Sequence, residues 1–226
     1  MAGGLILMGV LAAVMPVSAA MVTHGAMQMA SNGWRAVLHR RHVQWRIIAF
    51  YVVGSAAASG LLALVRFQPS KAAVYLFLGL IPLAVWLPLK RLKLDAAQPG
   101  QAMASGLLVT GLNVAAGVSG PMLDIFFVRT GLSRHQVVAT KACTQVFAHL
   151  AKIVFYGLPL LDAAAPGLPP SWVFLLGVPL AMTGAVLGGR ILDRMSDVHF
   201  LAWTRYIVSA LGIIYLAKAM QLFLTT

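Results

Sequence analysis

Two sets of polar side chains recur in this chain at one spacing, inside otherwise apolar sequence. Within each set the residues are four, four and three positions apart, which places them in one stripe along an α-helix. A shift of 117 residues superimposes the first set on the second. The two sets are His24, Gln28, Asn32 and Arg35, and Lys141, Gln145, His149 and Lys152. Amide, imidazole and ammonium groups can together orient an anion, so the stripes predict a site for an anionic ligand. The alternative is two amphipathic helices whose polar faces coincide.

A glycine- and proline-rich break precedes the second stripe. The sequence Gly117-Val118-Ser119-Gly120-Pro121 interrupts an apolar run. A broken helix at membrane depth exposes backbone N–H groups and a helix N-terminus, which favour anions. The alternative reading is that these glycines only permit close helix packing.

The individual side chains have different expected roles. Gln28 and Gln145 lie near the middle of equivalent helices and are expected to approach each other at the membrane midplane. His24 and His149 are candidates for carrying protons in a coupled cycle. Asp124 could neutralise Lys141. The predicted substrate-binding residues are Gln28, Asn32, Gly117, Gly120, Thr140, Lys141, Gln145 and His149. The predicted gating or secondary residues are His24, Arg35, Asp124 and Lys152, and for Arg35 and Lys152 the alternative is snorkelling to the interface.

The composition requires a membrane environment for these stripes. Of 226 residues, 60% are hydrophobic and only 10% are charged, whereas soluble domains carry about 25% charged residues. Apolar runs of about 20 residues predict an all-α polytopic membrane protein and exclude a β-barrel of short alternating strands. The net charge of +12 is concentrated in short connections, so nucleic acid is not predicted as a partner. A single cysteine, Cys143, gives no disulfide or cysteine metal cluster, and neither a metal nor a cofactor is predicted.

The hydropathy pattern divides the chain into three kinds of apolar segment. Ordinary spans are predicted over 45–65, 72–89, 171–190 and 200–223. The segments 18–35 and 135–158 carry the polar stripes, and the segments 3–16 and 101–128 contain the glycine and proline clusters.

Basic residues predict the orientation of these segments. Lys and Arg concentrate in 35–46, 90–95, 129–134 and 190–198, whereas 159–170 has none. The positive-inside rule places the first four connections in the cytoplasm and the last one outside. Both flanks of 101–128 are then cytoplasmic, so this segment is expected to enter the membrane and return.

The orientation also gives the repeat a direction. Arg35 leads into a cytoplasmic connection and Lys152 leads outward, so equivalent helices run in opposite directions. The predicted architecture is two inverted-topology repeats, 1–94 and 95–226, each a broken or re-entrant helical segment followed by about three transmembrane helices. Residues 101–117 align with positions before residue 1, so the leading arm of the first hairpin is expected to be encoded upstream.

Several short motifs carry a family resemblance. They are Gly117-x-x-Gly120-Pro121, Thr140-Lys141-x-x-x-Gln145, Ser31-Asn32-Gly33-Trp34-Arg35 and Arg40-Arg41-His42. Together they resemble the TauE/SafE sulfite exporter family over most of the chain, most strongly over 105–160, where several motif positions fall in order. The glycine-rich motif of the family's first half is represented here only by Gly3 and Gly4. The resemblance implies a multi-pass transporter in the bacterial inner membrane that carries a small anion such as sulfite, a sulfonate or sulfoacetate.

Three classes of function are therefore compared. The leading prediction is a secondary transporter with a small anionic substrate, with protons or another ion as candidates for coupling. The chain has no nucleotide-binding P-loop motif, so energy is expected from a gradient. The second class is an intramembrane serine protease using Ser119 and His149, and the third is a non-transporting membrane scaffold. The oligomeric state is not predicted.

Overall fold

Helices make up all the regular structure in the part of the chain that the computed structural model describes, which is 2–86, 94–161, 167–192 and 197–225. The α-helices are α1 (Ala2–Val14), α2 (Val17–Leu38), α3 (Trp45–Leu64), α4 (Lys71–Trp86), α5 (Pro99–Ala116), α6 (Gly120–Phe127), α7 (Arg134–Gly157), α8 (Ser171–Leu192) and α9 (Asp197–Leu224). Short 3-10 helices cover Arg40–His42 and Leu158–Leu161.

Four stretches of the described helices are long and apolar enough to cross a membrane. They are Trp45–Leu64, Arg134–Leu161, Ser171–Arg190 and Ala202–Leu224. Three of them correspond to the predicted spans 45–65, 171–190 and 200–223. The predicted span 72–89 begins as α4, and its last three residues, 87–89, lie outside the described residues. The protein is therefore a multi-pass membrane protein, as its composition predicted.

A left-handed glycine produces the predicted break between α5 and α6. Gly117 has a φ of +79°, and its amide donates to the Asn113 carbonyl at 2.8 Å, which closes the last turn of α5. Pro121 lies in the first turn of α6, where its missing N–H leaves no intrahelical bond unmade. The amide of Ala96 donates to the Phe126 carbonyl at 2.8 Å. The segment 101–128 therefore forms a helical hairpin that returns toward its starting point.

Close backbone contact fixes this hairpin against α3. A Cβ atom at Gly106 would overlap the carbonyl oxygen of Tyr51, and one at Gly54 would overlap the carbonyl oxygen of Met103. Beside these glycines, the buried hydroxyls of Ser55 and Thr110 are 2.7 Å apart. Small residues thus let α3 and α5 approach as closely as their backbones permit.

The two stripe-bearing helices, α2 and α7, pack against each other in antiparallel orientation. The backbone of Gly25 faces Ile153, whereas that of Gly33, two turns later, faces Val146. This register brings the first half of α2 to the second half of α7. The N-terminus of α7 is fixed by a capping box in which Ser133 and Gln136 exchange hydrogen bonds.

Two of the predicted cytoplasmic connections meet at one end of the molecule. The hydroxyl of Thr140 accepts a hydrogen bond from the amide of Gln44 at 3.0 Å. The rings of His42 and His135 are 5.4 Å apart. The basic segments 35–46 and 129–134 therefore share one end of the bundle, as the orientation argument requires. In the other two basic connections, residues 90–93 and 193–196 lie outside the described residues.

Candidate functional site

The centre of the candidate site is Lys152, whose side chain is completely buried. Its Nζ donates to the Gly117 carbonyl at 2.9 Å and is 2.9 Å from Nδ1 of His24. The second stripe, the first stripe and the break in the α5–α6 hairpin thus converge on one ammonium group. Lys152 does not snorkel, and within the described residues no carboxylate partners it. Sequence reasoning assigned it a secondary place because its position in the apolar run suggested an interfacial residue.

The hydrogen bonds of His24 determine its tautomer. Nε2 of His24 is 3.0 Å from the Gly4 carbonyl of α1, and a carbonyl oxygen can only accept. Nε2 therefore carries the hydrogen, and Nδ1 is left as the acceptor for Lys152. The backbone of Gly4, part of the short glycine motif of the first half, thus binds the imidazole of the first stripe directly. The amide of Gln28 also lies close to Gly4, because a Cβ there would be 2.6 Å from Gln28 Nε2.

His149 joins the same cluster from α7. Its ring centroid is 5.7 Å from that of His24, in an edge-on arrangement. Its Nδ1 lies 3.3 Å from the side-chain nitrogen of Asn113, which is fully buried on α5. Sequence reasoning missed Asn113. The available signal was a lone amide within the apolar run that leads to the break.

Buried polar atoms without a hydrogen-bond partner lie on the elements that form this cluster, which are α2, α5, α7 and the break before α6. Within the described residues, the side-chain atoms Thr23 Oγ1, Asn113 Oδ1, Ser119 Oγ and Gln145 Nε2 are buried and make no hydrogen bond. Buried polar groups in proteins are almost always paired, so such atoms indicate a place for a ligand or water. Thr23 adjoins His24 in sequence, Asn113 and Ser119 flank Gly117, and Gln145 is one turn from His149.

Two of the predicted binding residues already have partners. Lys141 forms an ion pair with Asp124 of α6, and both side chains are partly exposed. This is the alternative in which Asp124 neutralises the lysine, so Lys141 is not a free cation. Thr140 is one residue away and holds the connection between α2 and α3 through Gln44.

The remaining stripe residues lie farther along α2. Nη1 of Arg35 donates to Oδ1 of Asn32 at 3.4 Å. Gln28 falls between the positions that face Ile153 and Val146, so it is level with α7 residues C-terminal to Gln145. The two glutamines are therefore at different depths of the helix pair, and the structure does not place them directly opposite each other.

The left-handed turn at the break predicts a difference in stability between alanine variants at its two glycines, Gly117 and Gly120. Replacing Gly117 with alanine is expected to lower the free energy of unfolding by about 1–2 kcal/mol, because an L-residue is strained at this positive φ. Its Cβ would also lie 2.5 Å from the sulfur of Met8. Gly120→Ala is the matched control, since a Cβ there meets nothing within 4 Å. Thermal unfolding in detergent measures both, and equal shifts would show that the left-handed turn is not under constraint.

The protease alternative requires a hydrogen bond between its nucleophile and its base. Ser119 Oγ is buried without a hydrogen-bond partner, and Nδ1 of His149 is occupied by Asn113. The structure therefore does not provide the serine–histidine contact on which this alternative depends.

A polytopic helical protein with a buried lysine and two histidines at a broken hairpin has the features of a membrane transporter. The family model described as Sulfite exporter TauE/SafE matches residues 1–216, and the protein belongs to this family. The family implies a membrane transporter of sulfite-type anions. No curated protein and no solved structure matches the chain.

Proposed function

We propose that the protein is a secondary transporter that moves a small sulfur-containing or organic anion across the bacterial inner membrane by alternating access. The substrate class is sulfite, a sulfonate or a sulfoacetate-like anion. The observation that carries this proposal is the fully buried Lys152, which has hydrogen bonds but no carboxylate among the described residues. The family membership supports the same class of substrate.

The electrostatic argument favours an anion as the ligand. Removing an ammonium group from water costs several kcal/mol unless an opposite charge compensates for it. An anion beside Lys152 would supply that charge and could also accept hydrogen bonds from Ser119 Oγ and Gln145 Nε2, which have no partner. We assign direct contact with the anion to Lys152, Gln145 and Ser119.

The other predicted residues receive roles that agree with their contacts. Asn113 and His149 would orient one another at the edge of the site, with Gly117 and Gly120 shaping the break. Thr140, Lys141 and Asp124 are proposed to close the end where the basic connections meet, because they already bind one another or Gln44. We propose that the anion moves along α2 to and from the site, past the side chains of Gln28, Asn32 and Arg35.

Helix positions support an inverted repeat, an arrangement that many alternating-access transporters have. α2 begins at Val17 and α7 at Arg134, a difference of 117 residues, and α1 and α6 begin at Ala2 and Gly120. The next helices begin 126 residues apart, at Trp45 and Ser171 for α3 and α8. The same difference separates the first residues of α4 and α9.

The packing of these helices is also reciprocal. α2 contacts α8 as α7 contacts α3, and α1 contacts α9 as α6 contacts α4. We therefore propose that 1–94 and 95–226 form two inverted halves, with the anion held between α2 and α7.

Anion exchange in proteoliposomes tests this function. Purified protein is expected to exchange external labelled anion for internal unlabelled anion, with sulfite, methanesulfonate and sulfate compared. Gln145→Ala should reduce exchange by about 10-fold, the effect of losing one hydrogen bond of about 1.4 kcal/mol to a charged ligand. Arg40→Ala, on the exposed connection, is the control and should leave exchange unchanged.

The contrary results are equally specific. Equal losses in Gln145→Ala and Arg40→Ala would contradict a site between α2 and α7. Exchange of none of the three anions would favour the non-transporting scaffold.

A further inference from the structure

We propose that Lys152 and His24 form a proton-coupling site, in which anion binding frees Nδ1 of His24 for protonation so that one proton travels with each anion. This inference rests on the proposed function. It assigns the coupling ion and the residue that carries it.

Hydrogen-bond geometry supplies the mechanism. Nε2 of His24 donates to the Gly4 carbonyl, so Nδ1 is the atom left to accept a proton. In this structure Lys152 Nζ lies 2.9 Å from Nδ1 and donates to it. If Nδ1 of His24 were protonated, it and Lys152 Nζ would face each other as two donors, and the buried pair would carry two positive charges. The lysine therefore blocks protonation of His24 while the site holds no anion.

An anion would remove the block in a single step. Lys152 also donates to the Gly117 carbonyl, so its ammonium group lies at the break, which also contains the buried and unpartnered hydroxyl of Ser119 two residues along the chain. An anion bound there attracts the ammonium hydrogens and adds one negative charge. Nδ1 then accepts one proton from the open side, and the imidazole becomes an imidazolium. Release of the anion on the other side returns Lys152 to Nδ1 and expels that proton, so one anion and one proton have moved together.

Among the residues that the structure describes, the surroundings of the pair provide no carboxylate that would substitute for the anion. α1 and α5 contain no ionisable side chain and contribute the Gly4 carbonyl and Asn113. The one acidic residue of α6, Asp124, is paired with Lys141. On α7, His149 faces His24, and the hydroxyl of Tyr156 donates to the Val114 carbonyl. Among the described residues, the other ionisable side chains on helices packed against α2 and α7, and on these two helices themselves, are Arg35, Arg40, Arg41, His42, Arg46, Tyr51, Arg134, His135, Cys143 and Arg190.

Proteoliposomes separate this inference from the proposed function. The probe is whichever of methanesulfonate and sulfite shows exchange at equal pH, with potassium and valinomycin holding the voltage at zero. A pH gradient of one unit should then drive accumulation of a monovalent anion, up to about 10-fold at one proton per anion. An internal pH indicator should report proton entry that begins when the anion is added.

Matched histidine variants assign the proton to its residue. His24→Gln keeps an amide N–H for the Gly4 carbonyl but cannot become charged, so it should lose pH-driven accumulation while retaining measurable exchange at equal pH. His149→Gln, at the edge of the site, should slow exchange but should still accumulate the anion in response to the pH gradient. His135→Gln, on the exposed end of α7, is the control and should match the wild type in both measurements.

Each contrary outcome has a distinct meaning. Wild-type exchange without proton entry overturns the coupling site and leaves the transporter intact. No wild-type exchange overturns the proposed function. Loss of accumulation in His149→Gln, and not in His24→Gln, overturns the assignment to His24. Complete loss of exchange in His24→Gln overturns the separate role claimed for that residue.

Discussion

Replacing Lys152 with methionine is expected to reduce anion exchange by roughly 30- to 4,000-fold, because losing one member of a buried charge interaction costs about 2–5 kcal/mol. Methionine has nearly the same length and no charge, so it fills the space without compensating an anion. The completely buried position of Lys152 and its contacts with Gly117 and His24 make this the largest functional effect we expect in the chain.

Thermal unfolding provides the accompanying measurement. An anion present at 100 times its dissociation constant should stabilise the wild-type protein by about 2.7 kcal/mol and should not stabilise Lys152→Met. Lys218→Met is the matched control, because Lys218 is exposed and its ammonium group binds Gln221 on the same helix. Full exchange by Lys152→Met would refute the assignment of this lysine to the anion site.

Replacing Gly106 with alanine is expected to destabilise the protein by about 1–3 kcal/mol or more, the usual cost of inserting a methyl group into a filled contact. The added Cβ would overlap the backbone of α3 at Tyr51, and a backbone cannot move aside as a flexible side chain can. Since α5 leads to Gly117, the same change should displace the carbonyl that binds Lys152 and reduce anion exchange.

Gly111 of the same helix provides the control. A Cβ at Gly111 meets nothing within 4 Å, so Gly111→Ala should be neutral or stabilising by up to about 1 kcal/mol through helix propensity. In one detergent, the unfolding temperature should therefore fall for Gly106→Ala and stay the same or rise for Gly111→Ala. Equal changes would show that the close contact between α3 and α5 does not limit stability.

The helical framework could be predicted because its signals are local. Apolar runs set the length of each helix, and the glycine–proline cluster at 117–121 marked the break that separates α5 from α6. The basic segments 35–46 and 129–134 predicted a shared end of the bundle, where the structure brings Gln44 to Thr140. The periodic polar stripes likewise indicated which two helices to examine for a site.

The arrangement of the site depended on information that these local patterns do not contain. Both lysines of α7 lie in one stripe, yet Lys141 binds Asp124 whereas Lys152 binds His24 and a backbone carbonyl. The partner of each is decided by the antiparallel register of α2 and α7 and by the position of the hairpin. Asn113 was overlooked for the same reason, because only the folded hairpin brings it to His149.

The sequence by itself determined that the protein is a polytopic helical membrane protein with polar groups inside apolar helices, because hydropathy and periodicity act over neighbouring residues. The tertiary structure alone decided which cation is buried without a carboxylate among the described residues. Burial and ion pairing depend on contacts between residues far apart in the chain, such as His24 with Lys152, and these form only when the helices pack.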